Sequence, residues 1–135
     1  MKHEELTNLV IKAFYKVYNT LGYGFLEKVY LNALYYELLK LGLKVEKEKR
    51  VLVYYEGEVV GDYYADLTVE GIVICELKTA EQLIESHENQ LINYLKATDI
   101  EVGLLLNFGK KPEIRRKVYD NSRKTWLTTK YREIN

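Results

Sequence analysis

The chain has 135 residues, with 20 Lys and Arg balanced by 20 Asp and Glu, 47% hydrophobic residues and a single proline. That size and balance fit one domain around one core, and they exclude disorder over most of the length. The lone cysteine, Cys75, excludes an internal disulfide, and the absence of a cysteine cluster argues against a structural zinc site.

The N-terminus, Met1-Lys2-His3-Glu4-Glu5, lacks the basic-then-apolar layout of a signal peptide. No apolar run approaches the roughly 18 residues of a membrane span. The expected location is the cytoplasm, with no membrane partner. Leu6, Leu9, Val10, Ala13, Phe14, Val17 and Leu21 follow the helical period, and Gly22 and Gly24 interrupt it. A second helix places Leu26, Val29, Tyr30, Ala33, Leu34, Leu38 and Leu41 on one stripe and ends at Gly42.

Three strand-like runs follow, Leu43 to Tyr55, Glu58 to Val69 and Ile72 to Thr79, separated by the turn signals Glu56-Gly57 and Glu70-Gly71. A helix is expected from about Ser86 to Thr98, then an apolar strand from Glu101 to Phe108. Pro112 is expected to start a short basic helix, and the last dozen residues around Trp126 have no clear assignment. No internal repeat or linker is present. The ααβββαβα order suggests an α/β domain with a mixed sheet of about four strands covered by helices. Its last apolar strand should run parallel to Ile72–Thr79, through a right-handed crossover. The domain is expected over 1–120, with a C-terminal extension over 121–135.

Charge is unevenly placed. From Lys110 onward there are nine Lys/Arg and three Asp/Glu, so the tail carries +6 and the preceding body −6. Zero net charge argues against generalised binding to nucleic acid. An acidic body with a basic tail is compatible with an acidic metal site beside a phosphate-contacting surface, and equally with a solvated terminal segment.

The hairpin from Tyr64 to Lys78 is where chemistry concentrates. A two-residue loop at Glu70-Gly71 would pair Asp66 with Cys75 and put Glu76 on the opposite face. A three-residue loop, Glu70-Gly71-Ile72, would pair Val69 with Val73 and set Asp66 opposite Glu76, with Cβ atoms roughly 5 Å apart. Lys78 then joins them, because side chains two apart on a strand share a face. Opposed carboxylates repel, and a divalent cation relieves this: Mg²⁺ takes one or two carboxylates, several waters and a substrate phosphate. Lys78 could orient or deprotonate an attacking water, or balance phosphate charge. Ordinary surface salt bridges are the plain alternative for all three residues. The unbroken apolar run Ile72-Val73-Ile74-Cys75 weighs against it, because it puts Glu76 and Lys78 at the end of a buried strand.

Gly24-Phe25-Leu26-Glu27-Lys28-Val29-Tyr30 reads GxxExxY. Ala65-Asp66-Leu67, Glu76-Leu77-Lys78, His87-x-x-Gln90-Leu91-x-Asn93-Tyr94-Leu95 and Gly103-Leu104-Leu105-Leu106-Asn107-Phe108-Gly109 complete a pattern. Over roughly Leu6 to Val118 it resembles the GxxExxY family within the PD-(D/E)XK nuclease superfamily, although no proline precedes Asp66. The resemblance implies a restriction-endonuclease-like αβββαβ core and phosphodiester cleavage with Mg²⁺ or Mn²⁺. It implies metal ligands at Asp66 and Glu76, a catalytic lysine at Lys78, and a helix glutamate, Glu27, as third ligand or water-holding group. Glu27 also suits the first turn of a helix on electrostatic grounds alone. Tyr30, three residues on, is placed to hydrogen-bond it.

Gln90 and Tyr94 resemble the QxxxY element of RecB-like nucleases, which helps bind the substrate backbone. His87 shares their helix face and is a candidate phosphate or metal contact, or simply structural. Lys110, Lys111, Arg115 and Arg116 are candidate phosphate contacts. The expected partner is nucleic acid, with DNA favoured, and the expected activity is that of a metal-dependent nuclease. Two alternatives stand beside it: a catalytically weak nucleic-acid-binding module of the same fold, and an interaction domain or homodimer using tyrosine-rich surface.

Overall fold

The computed structural model describes residues 1–124. The elements are α1 (Glu4–Leu21), α2 (Glu27–Lys40), β1 (Val45–Tyr55), β2 (Glu58–Val69), β3 (Val73–Lys78), α3 (Glu85–Ala97), β4 (Val102–Phe108) and β5 (Pro112–Val118), with a 3₁₀ turn at Asn121–Arg123. The strands form one mixed sheet in the order β1-β2-β3-β4-β5. Only β3 and β4 pair in parallel, joined through α3 as expected. Trp126 and the rest of the expected extension beyond Lys124 lie outside the described residues. None of the described helices is long and apolar enough to cross a membrane.

Both faces of the sheet are covered. On one, Val10, Phe14 and Val17 of α1 and Tyr30, Leu34 and Leu38 of α2 pack on Leu67, Val73, Cys75, Leu77, Leu104 and Phe108. Each fully buried side chain of this kind contributes about 1.5–3 kcal/mol. On the other, Leu91 and Leu95 of α3 pack on Ala65, Ile74 and Leu105. This two-sided burial explains why β3 and β4 read as unbroken apolar runs.

The short basic helix expected from Pro112 is instead β5, antiparallel to β4 from Val102↔Val118 to Phe108↔Pro112. Ile114 and Val118, four residues apart, satisfy both the helical and the strand period, so spacing could not decide between them. Proline opens an edge strand at no cost in ladder bonds, and the cations protect the open edge from further pairing. Alternation along β5 sends Ile114 into the α1–α2 core, while Lys117 on the other face pairs with Glu88 of α3 at 2.6 Å.

Gly103 lies where β4 passes under α3, and a Cβ there would come within 2.6 Å of Leu91 Cδ1. The Gly103→Ala variant is therefore expected to lose about 1–3 kcal/mol through overpacking, read as a lower urea midpoint with an unchanged m-value.

Candidate active site

The site begins with a hairpin turn. Glu70 and Gly71 both take left-handed backbone, with φ of 55° and 63°, and Ile72 N–H donates to the Val69 carbonyl at 2.9 Å. The ladder then resumes at Val69↔Val73, leaving Ile72 as an extra residue. The structure therefore takes the three-residue register, with Leu67 opposite Cys75. The next residues on each strand, Asp66 and Glu76, come together.

Beyond Leu67↔Cys75 the ladder gives way to side chains. Asp66 N–H donates to Glu76 Oε1 at 3.0 Å, and Leu77 N–H donates to Asp66 Oδ2 at 2.8 Å. Each carboxyl thus binds the backbone of the other's strand, which fixes both in place. The strand turns over here: Leu67 belongs to the α1–α2 core and Ala65, two residues away, to the α3 core. The β1–β2 ladder skips one pair at the same level. Lys47↔Leu67 and Lys49↔Ala65 pair, while Glu48 between them sits at φ 52°. For a non-glycine residue that conformation costs of order 1–2 kcal/mol.

The electrostatics follow from burial. Glu76 is 3% exposed. Its carboxyl is pushed up to about 9, first by burial and then by the charge of Asp66. Asp66 is also raised by burial, against the lowering effect of the Leu77 N–H and of its hydrogen bond with Glu76. Burial and mutual repulsion thus favour the protonated form of Glu76 over that of a free carboxyl. Glu27, at the exposed start of α2, is raised by desolvation and by the charge of Asp66, with Lys78 opposing. Glu48, which paired-strand reasoning did not single out, also acts on Asp66 while its carboxylate holds Lys28 at 2.7 Å. Its run, Glu46-Lys47-Glu48-Lys49-Arg50, reads as solvated charge, and nothing in it marks Glu48.

On the α3 side, Lys78 Nζ donates to Gln90 Oε1 at 3.0 Å, and Gln90 Nε2 donates to the Tyr94 hydroxyl at 3.4 Å. Tyr94 lies 3.5 Å from the Tyr64 carbonyl. Its hydroxyl is pushed up to about 12, by burial first and then by Glu76, so it remains a proton donor. The expected Gln90–Tyr94 pair is thus joined to Lys78.

One other expectation is corrected, and two further sets of candidates have local partners. Tyr30 does not reach Glu27: it is fully buried, donates to the Gly22 carbonyl at 2.6 Å and accepts from Phe25 N–H at 3.2 Å, so it pins the loop before α2. His87 Nδ1 accepts from Ile84 N–H at 3.2 Å and caps α3. The four cations do not make one surface. Arg115 pairs with Glu113 at 3.5 Å, whereas Arg116 donates to the Lys2 carbonyl from the opposite face of β5. Lys110 and Lys111 lie exposed in the β4–β5 loop.

Among the described residues no three acidic, histidine or cysteine side chains close into a metal cage. The Asp66–Glu76 pair nevertheless fits a hard cation. It offers oxygen donors only, and two carboxyls fixed side by side, one of them buried, leave repulsion that a divalent charge would relieve.

A mixed sheet that parts at an Asp–Glu pair, with a lysine two residues on, defines the class: a nuclease-type α/β fold. A model of the PD-(D/E)XK nuclease superfamily matches residues 4–117, and the chain belongs to that superfamily. Such nucleases generally depend on divalent metal ions. A solved structure described as "Crystal structure of SSO0001" is similar at 20% identity and a TM-score of 0.47, over 77% of this chain and 61% of that one. This chain therefore spans less than two thirds of that protein's length. No curated protein matches it.

The raised Glu76 carboxyl has a measurable consequence. Its ordinary value is 4.5 and its folded value about 9, so between them the folded chain holds a proton that the unfolded chain has lost. This contribution to metal-free stability is complete below the lower value and declines as pH rises toward the higher one. Thermal unfolding in EDTA from about pH 5 to about pH 9 should show that decline, and Glu76→Gln should flatten it.

Proposed function

We propose that the chain is a metal-dependent nuclease of the GxxExxY branch, hydrolysing phosphodiester bonds in DNA, with its nuclease unit ending near residue 120. The observation that carries this reading is the reciprocal bonding of Asp66 and Glu76 across the parted strands, with Lys78 tethered beside them. A Mg²⁺ or Mn²⁺ ion held by Asp66 and Glu76 would lower the pKa of an attacking water and offset charge on the phosphate. The chain's own groups complete the setting. Lys78 presents a cation to the scissile phosphate, and Gln90 limits the positions its flexible stem can take. Tyr94 holds Gln90, so that α3 and β3 set the ammonium together. Glu27 lies close enough to feel both Asp66 and Lys78, and serves as a further acid on the water side of the site.

The test is incubation of purified protein with single-stranded, duplex and branched DNA, with Mg²⁺, with Mn²⁺ and with EDTA. Metal-dependent cleavage that disappears in Asp66→Ala supports the reading, and cleavage that persists in that variant defeats it. The balanced overall charge favours a second reading, a nucleic-acid-binding module without turnover. Salt-dependent binding with no products in any metal would select it.

A further inference from the structure

At the carboxyl ends of the parallel strands β3 and β4 lies a cleft of about 220 Å³ lined by Tyr23, Phe25, Ala80, Glu81, Phe108 and Lys110. Ligands of open α/β sheets bind at this end of the strands. Its two walls continue directly into the catalytic groups: Phe25 precedes Glu27 by two residues, and Ala80 follows Lys78 by two.

The walls are built to hold their shape. Tyr30 bonds the loop at both Gly22 and Phe25, and the Tyr18 hydroxyl lies 2.7 Å from the carbonyls of both Gly109 and Lys110. Across the cleft the buried Asn107 amide takes the Ala80 N–H and gives to the Ala80 carbonyl, both at 2.9 Å. At Gly109 a Cβ would fall 2.1 Å from that carbonyl, so only glycine lets the two segments close together.

On this fixed frame the apolar side chains face outward. Tyr23 is 58% exposed, Phe25 48% and Leu26 80%. Exposed rings on a restrained loop bring little entropic cost to a partner that stacks on them. Lys110 adds positive charge to the lining, which also holds the carboxylate of Glu81. Aromatic faces beside cations are the means by which unpaired strands are held: bases stack and phosphates meet the cations.

We infer that Tyr23, Phe25 and Lys110 form a subsite for an unpaired nucleotide beside the scissile bond, which makes single-stranded or frayed nucleic acid the preferred substrate. The inference rests on the nuclease reading for its location, but its test requires no turnover. Labelled oligonucleotides of one sequence, as single-stranded DNA, single-stranded RNA and blunt duplex, are titrated in EDTA with wild type, Tyr23→Ala, Phe25→Ala, Phe25→Leu and Phe25→Trp.

Each alanine variant should bind single strands about ten-fold more weakly, with duplex affinity unchanged. Phe25→Leu should show the same loss while keeping the apolar contact with Tyr30, and Phe25→Trp should restore binding. Whichever of DNA and RNA binds more tightly identifies the polymer. Single-strand affinity that survives the alanine changes, or an equal loss on duplex, overturns the subsite. If wild type cleaves with Mg²⁺ while the variants bind normally, the subsite fails and the nuclease stands. If nothing cleaves but the single-strand loss is seen, the reverse holds.

Discussion

Replacing Asp66 or Glu76 with alanine is expected to reduce phosphodiester cleavage by about 10²–10⁴-fold, because either change removes a carboxylate from the pair that would hold the ion. Lys78→Ala should fall in a similar range, and Lys78→Arg should not rescue it, since the guanidinium fork cannot reproduce a point charge fixed by Gln90. Glu76→Gln separates site from scaffold. The amide matches the shape of the protonated carboxyl and can still accept the Asp66 N–H. Metal-free stability at neutral pH should therefore be kept or raised while cleavage is lost. Single-turnover rates alongside urea midpoints would check both halves, and a Glu76→Gln variant that is inactive because it is unfolded would contradict this division.

Tyr30 carries the second large effect. Its ring is fully buried and stacks on Phe108 with centroids 4.4 Å apart and an interplanar angle of 16°. Tyr30→Ala is expected to cost about 3–5 kcal/mol of folding stability. Tyr30→Phe keeps the ring and removes only the hydroxyl, leaving the Gly22 carbonyl and the Phe25 N–H without that partner. Its stability cost should be about 1–3 kcal/mol. Because those two bonds set where α2 begins, cleavage should fall in Tyr30→Phe through the placement of Glu27, and not through any contact with substrate. Denaturation and kcat measured on the same preparations would separate the two losses.

Much of this architecture can be read from the chain itself. Glu58–Val69 is bounded by turn residues at both ends and forms β2 over that span. Two-sided burial is visible in the unbroken apolar runs of β3 and β4. The closeness of Asp66 and Glu76 depended on one residue, Ile72, since a hairpin without it would have set the acids on opposite faces. Sequence allows either register, and the choice comes from Val73, Cys75 and Leu77 all entering the α1–α2 core. Tyr30, His87 and Arg116 carry polar atoms whose partners are backbone groups: Gly22 and Phe25, Ile84, and Lys2 respectively. No side-chain spacing announces such bonds. Glu48 was hidden for a related reason, because nothing in its own identity marks the left-handed backbone it takes where the β1–β2 ladder skips a pair.

Crystals grown with Mn²⁺, with diffraction recorded at the manganese absorption edge, test the central claim most directly. The expected result is an anomalous peak in contact with carboxylate oxygens of both Asp66 and Glu76, absent from crystals of Asp66→Ala. A peak elsewhere, or no peak at the two carboxyls at saturating Mn²⁺, would contradict it.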